Sequence, residues 1–417
     1  MLHTPAGSTD PHLIDQKFFG CFFQKRTAFF CLPFAPTPPL LLPAISMLPL
    51  AAISLAIWAY LLLGHGRFWQ GGPILAPAAP VRTPSVTVIV PARDEEASIE
   101  RTLGSLLVQT YAGPFQVLLV DDQSRDGTAE AAALIGDARL TVIEGSERPP
   151  GWSGKLWALS QGVQAATGDL LLFTDADIEH DPKHLATLVA KLTGDGLDLV
   201  SEMVALNCRS AAERALVPAF VFFFALLYPF QNVNDPESPV AAAAGGTVLI
   251  RAETLRRIGG LSDLRGALID DVALAARVKR VGKIWLGHSR LAASIRPYPQ
   301  AADVWRMIAR TAYVQLKFSP SLLAGAIAGM VLVWLVPPWA ALFGHGAARL
   351  AGLLGWIAMT GAYVPTLRRF GLNLVWALVL PATALFYTAA TVGSALDHYS
   401  GRGVMWKRRS YTNSGGS

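Results

Sequence analysis

Between Leu322 and Leu396 the chain contains no aspartate, glutamate or lysine. Backbone laid in hydrocarbon has to satisfy its own N–H and C=O groups, which leaves helices as the fold for such a stretch. Three apolar runs, 322–343, 350–367 and 372–396, reach or approach the roughly 20 residues that a bilayer crossing needs. A further run, 48–63, follows Met47 and ends at Gly64-His65-Gly66-Arg67; with 40–45 before it, it attains a similar length. Residues 47–66 read as an N-terminal anchor rather than a cleaved signal, because the imitation cleavage site Ala76-Pro77-Ala78 is distant and proline-bound. Hydrophobic residues at 52% and charged residues at 16% of 417 agree with a membrane protein.

The intervening sequence has another texture. A Pro- and Ala-rich linker, 71–84, leads into 85–300, where apolar strands at 86–90, 117–120, 140–143 and 170–173 alternate with helices at 98–109, 128–135 and 155–166. Such alternation predicts an α/β fold with a mostly parallel sheet between helices. Residues 215–230 are apolar but short and carry Pro218, so they read as a helix at the interface or in a core; 301–321 read as an interfacial helix. Residues 1–46, broken by five prolines between Pro33 and Pro43, predict no regular fold.

The net charge of +5 forms no basic stripe, and Lys and Arg instead flank apolar segments, which favours a lipid bilayer over nucleic acid as the partner. Cys21, Cys31 and Cys208 offer no C-x-x-C spacing, so neither a disulfide framework nor zinc is indicated, in keeping with a reducing cytoplasm. Three crossings after 85–300 would put the basic tail 398–417, with Arg402, Lys407, Arg408 and Arg409, on the opposite side from that domain. Both the tail and Arg368-Arg369 ask to be cytoplasmic. The Pro337-Pro338 region is therefore expected to be re-entrant or split.

Carboxylates gather at the predicted strand ends. Strand 86–90 runs into Pro91-Ala92-Arg93-Asp94-Glu95-Glu96, and strand 117–120 into Asp121-Asp122-Gln123-Ser124-Arg125-Asp126-Gly127. The loop Gly151-Trp152-Ser153-Gly154-Lys155 opens a helix with a lysine available to a phosphate. Strand 170–173 delivers Asp175-Ala176-Asp177, two carboxylates that repel each other unless a cation neutralises them. Asp270 and Asp271 stand at the mouth of an amphipathic helix, where N-capping is the plain alternative. Strand ends are where open α/β sheets bind ligands.

As an ordered set these motifs resemble family 2 glycosyltransferases of the GT-A fold, over about residues 84–290. The resemblance implies nucleotide binding by Asp94, Glu95, Asp121, Asp122, Lys155 and Asp175, and a Mg²⁺ or Mn²⁺ ion held by Asp175 and Asp177. It implies Asp271 as general base, with Asp270 and Arg310 on the acceptor or diphosphate side. Membrane relatives that build polymers often carry Gln-x-x-Arg-Trp after the base. Here Met307-Ile308-Ala309-Arg310-Thr311 keeps only the arginine, which speaks against processive synthesis. The stretch 151–162, the anchor and the tail motif Trp406-Lys407-Arg408-Arg409-Ser410-Tyr411 are similar to bacterial hopene-associated glycosyltransferases.

The expected activity is an inverting transfer of a sugar from a nucleotide-sugar, a UDP-sugar above others, to a membrane lipid such as a hopanoid or another polyisoprenoid. The expected location is a bacterial cytoplasmic membrane, with the catalytic domain facing the cytoplasm. A metal-dependent nucleotidyltransferase is the rival enzyme, though no P-loop is present. A transporter would need intramembrane acidic or lysine side chains that 322–396 lack.

Overall fold

The computed structural model describes residues 47–265 and 270–400, together with the backbone of 405–406 and 409–410. Eight strands make one sheet: β1 Val86–Ala92, β2 Phe115–Asp121, β3 Leu140–Glu144, β4 Leu170–Thr174, β5 Ile178–His180, β6 Leu199–Ala205, β7 Thr247–Arg251 and β8 Ile284–Ser294. Their order is β3-β2-β1-β4-β7-β6-β8-β5. The half from β3 to β4 is parallel, as the alternation predicts. The other half is mixed, because the chain enters β7 beside the C-terminal end of β4, Thr174 opposite Thr247, and runs back antiparallel. Every residue of β1 and β4 is buried, as befits strands covered on both faces. Helix Glu96–Leu107 packs Ile99, Leu103 and Leu106 into one core layer, and helix Gly154–Ala165 packs Leu156 and Leu159 into the other.

A third core joins this domain to the apolar helices. Helix Ala211–Leu227 is started by a capping box between Ser210 and Glu213 and continues through Pro218. Its Phe222 is fully buried, with ring centroids 5.4 Å from Phe68, 6.1 Å from Trp334 and 5.0 Å from Tyr363. The segment is therefore packed in a core, one of the two roles expected of it. The first apolar helix, Met47–Leu63, has 17 residues; its Trp58 indole donates to Val333 O at 2.9 Å. The 40–45 run that was to extend it lies outside the described residues.

Among the described residues, three helical runs are long and apolar enough to cross a membrane: Pro320–Phe343, Gly346–Arg369 and Leu374–Tyr399. The expectation of a split at Pro337-Pro338 is not met. A wide π-type turn at Val331–Leu335 leads directly into Val336–Phe343, which the prolines open, and Val333 O, left without the N–H that Pro337 lacks, accepts from the Trp58 indole instead. The 301–321 stretch holds two short helices, Ala301–Ala309 and Ala312–Gln315, interrupted at Arg310-Thr311.

The last helix, Leu380–Tyr399, lies against helix Ala211–Leu227 and the 301–321 segment. Tyr387 Oη donates to Leu216 O at 3.0 Å, and Phe386 packs on Trp305 at 5.5 Å. Further along, Tyr313 N donates to Ser394 Oγ at 3.2 Å, and His398 stacks on Phe318 at 4.6 Å.

Candidate functional site

The C-terminal ends of β2, β1 and β4 lie side by side, so the first two carboxylate motifs and Asp175-Ala176-Asp177 share one sheet edge. After β1 the chain turns at Asp94, whose φ of 50° is left-handed, a conformation aspartate tolerates better than most residues. Asp94 Oδ1 accepts from Arg125 N at 2.8 Å, and Asp94 N donates to Ser124 Oγ at 3.0 Å, which ties the two loops together. Asp121 accepts from Ser124 N at 3.1 Å. Asp121 is buried too, and Asp122 more deeply, ion-paired to the buried Arg93 at 3.6 Å.

The third motif follows β4. Asp175 and Asp177 are half-buried with Ala176 buried between them, so both carboxylates stand on one side of the turn. Its carbonyls are each held: Asp175 O accepts from Ile178 N at 3.3 Å, Ala176 O from Thr102 Oγ1 at 2.9 Å, and Asp177 O from Ile295 N at 2.8 Å. Lys155, in the first turn of a helix whose cap Ser153 accepts from Leu156 N at 3.2 Å, brings Nζ to 2.5 Å from Asp175 Oδ1. Arg296, just past β8, spans Asp177 at 2.5 Å and Glu95 at 2.6 Å. Burial alone would lower the guanidinium pKa, but Asp177 and Glu95 outweigh it and raise it further. Arg296 was not foreseen from the sequence; its position at a strand exit was the signal available.

Gly245 links this edge to Asp271. A methyl group on Gly245 would lie 3.1 Å from Asp271 Oδ2 and 3.2 Å from Lys155 Nζ, so base candidate, lysine and Asp175 surround one spot. A cavity there is lined by Pro91, Lys155, Thr174, Gly245, Leu264 and Asp271, among others. Burial, with Asp271 adding to it, raises the Tyr228 hydroxyl pKa; Gln315 donates to that hydroxyl. Burial also raises the Tyr298 hydroxyl pKa, against the pull of Arg296 and Arg310 and with the push of Asp177 and Asp175. The side chain of Asp270 lies outside the described residues. Among the described residues no group of three His, Cys, Asp or Glu side chains forms a metal cage.

Residues 87–259 match the model for "Glycosyl transferase family 2". The glycosyltransferase AglE of Haloferax volcanii is 33% identical over 137 residues, 31% of this chain and 44% of that protein. The 4,4'-diaponeurosporenoate glycosyltransferase of Staphylococcus haemolyticus is 35% identical over 102 residues, 24% of this chain and 26% of that protein. The matches thus span less than half of these relatives. Among solved structures, the mannosyltransferase PcManGT of Pyrobaculum calidifontis, in complex with GDP-Man and Mn²⁺, superposes with a TM-score of 0.52 at 23% identity, covering 85% of this chain and 99% of that one. The shared architecture is the GT-A-like sheet flanked by helices.

Proposed function

The chain carries a glycosyl transferase family 2 domain at 87–259, and from that premise we propose that it is an inverting glycosyltransferase moving a sugar from a nucleotide-sugar to a lipid hydroxyl in the cytoplasmic membrane of a bacterium, with the domain on the cytoplasmic side. The observation that carries this reading is the convergence of Lys155, Asp175 and Asp271 around Gly245, on a domain sharing a core with apolar helices. In this reading the loops at Asp94, Glu95 and Asp121 receive the nucleotide, and Asp122 supports them from beneath through Arg93.

Asp175 and Asp177 suit a divalent ion. They offer oxygen donors from one side of a clamped turn, and Mg²⁺ or Mn²⁺ is commonly held by one or two carboxylates and completed by substrate phosphates rather than by a cage of protein ligands. The ion, when bound, supplies positive charge to the leaving diphosphate. Lys155, Arg296 and Arg310 add charge of the same sign around it. Asp271 takes the proton from the acceptor hydroxyl as that oxygen bonds the anomeric carbon and the diphosphate leaves from the other face with the bonding pair, so the configuration inverts.

A membrane acceptor fits the layout. The helices Ala211–Leu227 and Ala301–Ala309 pack among the apolar helices, and Gln315, next to them, reaches Tyr228 near Asp271. A hopanoid is the proposed acceptor, on the likeness at 151–162 and in the tail, with other polyisoprenoid lipids as the competing class. The test is transfer by detergent-purified protein from a panel of UDP- and GDP-sugars into bacterial lipid extracts with and without hopanoids, with Mg²⁺, Mn²⁺ or EDTA. A product that needs metal and hopanoid, and that Asp177→Ala abolishes, is expected. A product with hopanoid-free extract would move the acceptor to the competing class, and no donor turnover under any condition would sink the enzyme reading.

A further inference from the structure

Beneath the carboxylate turn runs a buried chain of side chains that the reaction above does not use. Thr174, the last residue of β4, donates its hydroxyl proton to Gly246 O at 2.9 Å. Its oxygen can then only accept from His180 Nε2, 3.1 Å away. That leaves His180 Nδ1 as an acceptor for His184 Nδ1–H at 2.8 Å, a contact too short to admit an ion between the two rings. His184 Nε2 in turn lies 2.7 Å from Glu202 Oε2, with one proton between them. All four residues are at most 3% exposed. Burial, and then the neighbouring His184, push the His180 pKa well below its ordinary value, which agrees with a neutral ring. Glu202 Oε1 is buried without a hydrogen-bond partner, so the chain ends there.

Thr174 and His180 flank the turn that holds Asp175 and Asp177, and their bond closes it like a staple. His184 sits on the helix His184–Gly194 and Glu202 on β6, so the staple is braced by two further elements. Four buried polar groups are costly to assemble in place of apolar ones. We propose that the Thr174–His180–His184–Glu202 chain is a positioning device that fixes the spacing of Asp175 and Asp177, and so sets their affinity for a divalent cation delivered with a nucleoside diphosphate. The inference rests on the reading of that pair as the metal-diphosphate site. Groups that orient metal ligands from behind are typically worth roughly 10- to 100-fold in metal affinity.

The experiment is Mn²⁺ binding to the full-length protein in detergent, with UDP or GDP present, followed by electron paramagnetic resonance and accompanied by thermal melting. Thr174→Val, which removes the acceptor at one end, and Glu202→Leu, at the other, are expected to weaken Mn²⁺ binding roughly 10- to 100-fold. Glu202→Gln keeps the link by donating an amide N–H to His184 Nε2 and is expected to bind close to wild type. The inference is overturned if Thr174→Val melts like wild type and binds Mn²⁺ equally well, or if Glu202→Gln is as weak as Glu202→Leu. Should Glu202→Leu not fold, Thr174→Val decides. If the wild type itself shows no nucleotide-dependent Mn²⁺ binding, the underlying assignment of the carboxylate pair fails instead.

Discussion

At Gly245 a single hydrogen stands where any other residue would thrust a carbon between a lysine and an aspartate. Gly245→Ala crowds Asp271 Oδ2 and Lys155 Nζ within 3.1 and 3.2 Å, closer than ordinary contact, so it is expected to lower sugar transfer while circular dichroism stays native. Asp271→Asn should cut turnover by roughly 10²- to 10⁴-fold with nucleotide binding retained, measured by steady-state kinetics beside calorimetry; equal loss of both would argue against a general base. His288 bears on stability instead. Burial, and secondarily Arg369, lower its pKa to about 3, while its ring stacks on Phe230 at 4.7 Å. The unfolded chain therefore binds a proton below about pH 6.5 that the folded chain refuses, and acid destabilises, by up to about 1.4 kcal/mol per pH unit between those values. Chemical unfolding at pH 7 and pH 5 should show the loss, and His288→Gln should shrink it. Asp175 and Asp177 were legible in the sequence because alternation after an apolar strand puts both on one side. The role of Asp122 was not, since two consecutive aspartates give no sign of which one meets the buried Arg93.

Among the elements, helix Ala211–Leu227 couples the sheet domain to the apolar helices through Phe222. Truncation to alanine removes a fully buried ring in contact with four other aromatics, so Phe222→Ala should cost about 3–5 kcal/mol and lower the melting temperature in detergent. An unchanged melt would mean that the third core is dispensable. The parallel strands β1 to β4 were readable from apolar runs that punctuate helices at regular intervals. The mixed half was not, because the direction of β7 depends on where a long helical excursion re-enters the sheet, and local pattern does not carry that information. The Pro337-Pro338 pair misled for a related reason: proline takes a backbone donor out of a helix, but a π-type turn precedes the pair and the Trp58 indole, distant in sequence, supplies the donor that Val333 O lacks.

For the molecule as a whole, hydropathy marks four apolar helices but not which of them run through the bilayer and which run along it. Leu380–Tyr399 has 20 residues and is therefore about 30 Å long; Tyr387, in its middle, bonds to Leu216, while Ser394 and His398, toward its C-terminal end, meet Tyr313 and Phe318. Leu216 belongs to the helix that follows β6, and Tyr313 lies two residues from Gln315, the partner of Tyr228 beside Asp271. Arg369 likewise bonds to Gly72 O at 3.1 Å, just beyond the first apolar helix. We expect a rod tied along its second half to helices that flank the sheet domain to act as a beam rather than a staircase. Sidedness is then expected to stay unchanged along it, with the tail in the compartment of the sheet domain, the side that Arg368, Arg369 and the basic residues of the tail favour. In sealed inverted vesicles, a cysteine appended after Ser417 should react with a membrane-impermeant maleimide to the same extent as one introduced at the exposed Val81, in the linker that leads into the sheet domain. Opposite labelling would make the last helix a crossing.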